Sequence, residues 1–186
     1  MGKRQYRRSL PGLFSARVLV AALIFGGIAA VLLVARFTVP IPGTRAVSDP
    51  REIFTTLGSA FTGPVGALLI AFLAGIAEPN GVPLASIFAH GLGCIWVSLA
   101  YQGFIYRSKI FKLLLLWALT MFLYYGVFLI PGYLIGLAVI YAQPVNFFEM
   151  YPLLASGAFP ESIITIVLTS LFIIILPARY RRPWWK

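Results

Sequence analysis

The residues able to do chemistry in this chain are few and unevenly placed. One histidine, His90, lies inside a long apolar run, and one cysteine, Cys94, follows it four residues later. All five acids, Asp49, Glu52, Glu78, Glu149 and Glu161, fall in or beside the breaks between apolar runs. A single Cys and a single His exclude an internal disulfide framework and any metal site built from several Cys or His ligands. The sequence has no Gly-x-x-x-x-Gly-Lys-Ser/Thr loop, no His-Glu-x-x-His helix and no Gly-x-Ser-x-Gly elbow. The pattern points to recognition rather than catalysis, so neither enzymatic activity nor a cofactor is expected.

An ionisable group in the hydrocarbon zone of a bilayer costs about 2.5 to 3.5 kcal/mol on insertion scales, so it asks for a functional reason. His90 stands six positions after Leu84, roughly 9 Å in from the outer membrane end by helical rise. Two readings stand for it: a neutral imidazole bonded to a neighbouring helix, or a ligand contact. Arg45, Asp49, Arg51, Glu78, Asn80, Asn146, Glu149 and Glu161 lie on the same outer side and form, with His90, the candidate pocket for a small-molecule substrate. Tyr125 joins that set as an aromatic wall, with Trp96, Tyr101, Tyr124 and Tyr133 as further rings. Each residue taken alone also reads as a solvated loop charge or a packing ring. Glu52 and Glu161 also read as acids that favour helix N-termini through the dipole. The mixed charge leaves the sign of the ligand open.

The elements that must position these residues are membrane helices. Of 186 residues 60% are hydrophobic and 11% charged, and the mean hydropathy is +0.92. Soluble domains carry roughly 25% charged residues, and a body this small cannot hide so much apolar surface from water. The net charge of +10 is clustered at the ends of apolar runs. Lys3, Arg4, Arg7, Arg8 and Arg17 form one group, Arg107, Lys109 and Lys112 a second, and Arg179, Arg181, Arg182 and Lys186 a third. The first and last groups read as tails off any folded scaffold. Such clusters belong on the cytoplasmic side of a cell membrane, against anionic lipid headgroups, and argue against nucleic acid as the partner.

Residues 18–35 make one span of roughly 27 Å at about 1.5 Å per residue. Residues 84–106, 110–130 and 162–176 make three more. Residues 53–77 fit one long helix or two short ones turning at Gly63-Pro64, and parity selects the pair. Only an even number of crossings puts all three basic clusters on one side and every acid on the other, and proline favours the break. The expected fold is an all-α polytopic bundle of six transmembrane helices spanning 18–176, with basic cytoplasmic segments at 1–17 and 177–186. Each half of the pair is too short to cross about 30 Å alone, so a tilted hairpin in a thinned bilayer is expected. In the outer segment 131–160, residues 133–141 extend the fifth span and 145–158 lie along the interface as a short helix or cap. Trp184 and Trp185 read as interfacial anchors.

Two stripes of small residues allow close helix approach. One is Ala22, Gly26 and Ala30 on the first span; the other is Gly63, Ala67, Ala71 and Gly75. Internal packing and docking of a separate membrane subunit are both open for each.

The run Pro40-Ile41-Pro42-Gly43-Thr44, a short helix, and then Gly63-Pro64-Val65-Gly66-Ala67 opening an Ala/Gly-rich helix resembles the substrate-binding S components of energy-coupling factor (ECF) transporters. That resemblance implies a six-span bundle that captures a vitamin-like micronutrient at its outer face. It also implies dependence on a transmembrane coupling subunit and two ATPases, with Ala22, Gly26 and Ala30 as the docking face and residues 40–49 as a loop over the ligand. Residues 49–107 also resemble the five-transmembrane sensor module of LytS-type histidine kinases, through Arg51 and the Gly-Pro turn. Ala77-Glu78-Pro79 departs from the basic-aromatic motif of that module.

Overall fold

The computed structural model describes residues 12, 14–41 and 47–184. Five helices in it are long and apolar enough to cross a membrane. They are α1 (Ala16–Val34), α2 (Arg51–Ile76), α3 (Pro83–Ile105), α4 (Ile110–Ile140) and α5 (Phe147–Ile175). A short antiparallel pair, β1 (Val39–Pro40) and β2 (Val47–Ser48), joins α1 to α2. Arg45 and most of the expected loop over the ligand lie outside the described residues.

The 26 residues of α2 would be about 39 Å long if straight, at about 1.5 Å per residue. Its ends nevertheless meet: Arg51 Nη1 is 3.7 Å from Glu78 Oε2. A Cβ placed on Gly58 would also fall 2.7 Å from Ile70 Cδ1. The chain therefore folds back on itself, and the reversal is at Gly63, whose φ of 82° and ψ of 178° belong to a region open essentially to glycine alone. Pro64 follows as the first residue of the returning half, where its missing N–H deprives the helix of nothing. Two helical arms, 51–62 and 64–76, stand side by side.

Small residues let the other helices close on this hairpin. Ala22 and Gly26 of α1 are fully buried, and a Cβ on Gly26 would stand 2.8 Å from Leu73 Cδ1. Ala67 and Ala71 of the returning arm pack with Cys94 of α3. Both stripes thus have partners within the chain, and Ala30 is half-buried.

The expected extension of the fifth span is present in α4, whereas α5 departs from the expected boundaries. α4 runs through Pro131 by way of a π-helical stretch, Tyr124–Leu129, whose wider turn absorbs the bond that proline cannot make. α5 is a single helix in which Pro152 and Pro160 are interior, so 145–158 is not a separate interfacial cap. Ending a helix at a proline would orphan four carbonyls, whereas each interior proline forfeits one bond. The buried residues of α5 are Ser162, Thr165, Thr169 and Ile173, a stripe at spacings of three and four confined to its second half.

The basic tail is not a free extension. Trp184 N–H donates to Phe61 O at 2.8 Å, and its ring stacks on Phe61 at 5.4 Å between centroids. Tyr101 Oη–H donates to Arg181 O at 2.8 Å, and the Arg17 guanidinium lies over the Trp184 ring. The start of α1, the tip of the α2 hairpin, the end of α3 and the tail therefore share one end of the molecule. The tail fills the space beneath two arms that are each shorter than a full span, and Trp184 satisfies a carbonyl at the tip.

Candidate functional site

The opposite end holds a buried ionic network centred on Glu52, which is only 2% exposed. It occupies the second position of α2, and its carboxylate is satisfied on both oxygens. Oε1 lies 3.0 Å from His90 Nε2 and 3.3 Å from Arg51 Nε. Oε2 accepts from Tyr124 Oη at 2.6 Å and from Thr55 Oγ1 at 3.0 Å. A buried carboxylate is tolerated only when paired and hydrogen-bonded in this manner.

His90 comes from α3, facing the first arm of the hairpin. Its Nδ1 is 2.8 Å from the backbone carbonyl of Ser86. A carbonyl only accepts, so Nδ1 carries a proton. On the other side of the ring Nε2 meets a carboxylate oxygen, so a second proton lies between His90 and Glu52. The pair is held together by that shared proton.

Arg51 ties the network to the outer segments. Its Nε is 2.7 Å from Asp49 Oδ2 and its Nη1 is 3.7 Å from Glu78 Oε2. These N–H groups stand at ion-pair distance without hydrogen-bond alignment. Asp49 Oδ1 accepts the Arg51 backbone N–H at 3.0 Å, and the Asp49 backbone N–H donates to Glu161 Oε1 of α5 at 3.1 Å. Burial raises the Asp49 carboxyl above its ordinary value of 3.8, against the lowering effect of the Arg51 guanidinium. Four carboxylates thus surround one guanidinium and one imidazole. The acids outnumber the basic groups, and burial of Asp49 favours the protonated form of its carboxyl.

The π-helical stretch of α4 brings two consecutive tyrosines inward. Tyr124 and Tyr125 are both buried, with their rings edge to face at 5.1 Å. Tyr124 has room because a Cβ on Gly93 would lie 2.5 Å from its Cε2, so only glycine fits there. The Tyr125 hydroxyl pairs with Thr165 Oγ1 of α5 at 3.0 Å. Tyr125 also lines a cavity of about 160 Å³ between α4 and α5, with Phe122, Tyr151, Phe159 and Ser162 on its walls. Comparison with family models, curated proteins and solved structures gives no match.

Of the residues the sequence analysis assembled, Asp49, Arg51, Glu78, His90 and Glu161 come together, and Tyr125 stands one shell behind them. Asn80 is peripheral, bonded to Glu78 at 2.7 Å. Asn146 and Glu149 are exposed at the start of α5 and make no contact with the network. Among the other rings, Trp96 stacks on Phe128 and Tyr101 holds the tail. The residue missed as a site member is Glu52, which the dipole argument accounted for locally. The available signal was its position beside Arg51 at the mouth of an apolar run that must pass close to His90. Among the described residues no group of three or more His, Cys, Asp or Glu is arranged to hold a metal ion.

Proposed function

We propose that this chain is the membrane-embedded substrate-binding subunit of a micronutrient uptake system, working with a separate transmembrane coupling subunit and ATPases. The chain would cross the membrane six times, with the arms of α2 as a shortened pair, and both termini would be cytoplasmic. The meeting of Arg51 with Glu78, and of Trp184 with Phe61, supports that count. The observation that carries the functional reading is the network itself, four carboxyl groups around one guanidinium and one imidazole at the end away from Arg17, Arg107 and Arg182. A buried site rich in acids relieves the excess by holding protons or by taking up a counter-charge. The substrate class it favours is a small molecule bearing an ammonium or similar cationic group.

The test is purification of the native chain from its own membranes in mild detergent, followed by native mass spectrometry of the proteins and small molecules that stay bound. A coupling subunit with ATPases and a cationic ligand lost from a Glu52→Gln variant are expected. Isolation with neither, or retention of an anionic ligand indifferent to Glu52→Gln, would count against the proposal.

One observation favours a second reading, a ligand sensor of LytS type. Glu52 and Phe61 lie nine residues apart on one rigid arm, so movement in the network reaches the tail that Phe61 holds. Co-isolation of a histidine kinase in place of the ATPases would support it.

A further inference from the structure

The basic end contains a cleft of about 360 Å³ lined by Tyr106, Arg107, Arg182 and Pro183. The two arginines come from segments 75 residues apart in sequence, and both are exposed. Neither is placed by chance of a loose chain. Arg107 Nε–H donates to Tyr106 Oη at 2.7 Å, and its guanidinium lies 5.2 Å from the centre of that ring. This leaves the terminal amino groups of Arg107 directed away from the tyrosine hydroxyl.

Arg182 sits between two fixed points of the tail, the Tyr101 bond to Arg181 O and the Trp184 bond to Phe61 O. Its neighbour Arg181 turns back to the end of α5, donating to Leu176 O at 2.8 Å and Ile174 O at 2.9 Å. Arg182 faces the other way, into the cleft, and no acceptor meets it among the described residues. Nor does an Asp or Glu side chain of this chain supply the counter-charge. Asp49, Glu52, Glu78 and Glu161 are joined in the network at the far end, and Glu149 is in the first turn of α5.

We propose that this cleft is a binding site for a phosphate group, held between the guanidinium groups of Arg107 and Arg182 and supplied by an anionic lipid headgroup. Guanidinium matches phosphate oxygens in paired hydrogen bonds. The cleft lies at the level of Trp184 and Arg17, an interfacial pairing of aromatic and basic groups where headgroups reside. The site is independent of the substrate proposed above. Inorganic phosphate presents the same oxygens, and the experiment separates the two sources.

The full chain is placed in mixed micelles containing phosphatidylglycerol and phosphatidylcholine, and lipid retention is read by native mass spectrometry. Each arginine near an anionic surface contributes roughly fivefold in affinity, so a preference for phosphatidylglycerol of roughly 25-fold is expected from the pair. Arg107→Gln with Arg182→Gln abolishes that preference. Lys109→Gln with Lys112→Gln, which removes equal charge from the same end outside the cleft, lowers it less than the arginine pair does, and an equal loss from the two pairs would overturn the site. The single variant Arg182→Gln, whose side chain has no protein acceptor to lose, lowers it about fivefold and guards against misfolding of the double variant. Retention undisturbed by millimolar inorganic phosphate supports the headgroup as the source. Displacement by inorganic phosphate keeps the phosphate site and overturns the lipid as its source. Equal retention of the two lipids, or a preference that survives Arg182→Gln and the double arginine change, overturns the site.

Discussion

Replacing Gly63 with alanine strikes the reversal on which the rest of the bundle is built. At φ 82° and ψ 178°, a residue with a Cβ carries a strain of about 1–3 kcal/mol. Alanine cannot escape into helical angles, because Pro64 disfavours them in the residue before it. Nor can it move to extended angles without swinging one arm away from the other. That swing would part Arg51 from Glu78, now 3.7 Å apart, and lift Phe61 off the Trp184 bond. The full strain therefore falls on the folded state. The control is Gly91→Ala in α3, where a Cβ meets nothing within 4 Å and the helix gains about 0.5–1 kcal/mol from alanine. Thermal unfolding of the two variants in lipid nanodiscs, followed by tryptophan fluorescence, should move in opposite directions from the native chain. Gly63→Ala unfolding at or above the native temperature would refute the hairpin.

Four further outcomes follow from single contacts. Gly93→Ala places a Cβ 2.5 Å from Tyr124 Cε2 and should destabilise by about 1–3 kcal/mol through overpacking. Tyr124→Phe removes only the bond to Glu52, about 1.5–3 kcal/mol for a charged acceptor, and a double-variant cycle in chemical unfolding should show the two effects to be less than additive. Asp49→Asn keeps the acceptor for the Arg51 backbone N–H but cannot ionise. Because the native Asp49 carboxyl is raised above 3.8 by burial, the folded chain binds the proton more tightly than the unfolded one. The stability of the native chain relative to this variant should be greatest below pH 3.8, fall as pH rises through the folded value, and be flat beyond it. Unfolding curves over that range measure the slope, and a rise with pH would contradict the burial. Trp184→Ala removes the stack on Phe61, a ring pair worth about 0.5–1.5 kcal/mol, but keeps the main-chain N–H. Losses well above that in thermal unfolding would mean that the ring, not the backbone bond, holds the tail.

Much of the architecture was legible from the order of residues. The apolar runs and basic breaks call for a polytopic membrane bundle, because lipid is the only solvent that accepts them. Gly63-Pro64 marks the reversal, because one residue type tolerates the backbone angles and the next prevents a helical alternative. The meeting of Asp49, Arg51, Glu78, His90 and Glu161 was one of the readings open from sequence, since all of them fall toward the same end of the apolar runs.

What only the tertiary structure decided are matters of register between helices. Glu52 becomes the centre of the network because the returning arm and α3 bring His90 beside it from 38 residues away, a distance that local dipole reasoning does not see. Two adjacent tyrosines face inward only because a π-helical stretch alters the turn, and backbone hydrogen bonding, not side-chain pattern, governs that. Glu149 and Asn146 share the charge and polarity of the network residues yet remain outside it, because α5 continues unbroken through its prolines and carries them away. Sequence sets which groups must be buried or paired. Which partner each finds depends on helix lengths and crossings that short-range preference leaves free.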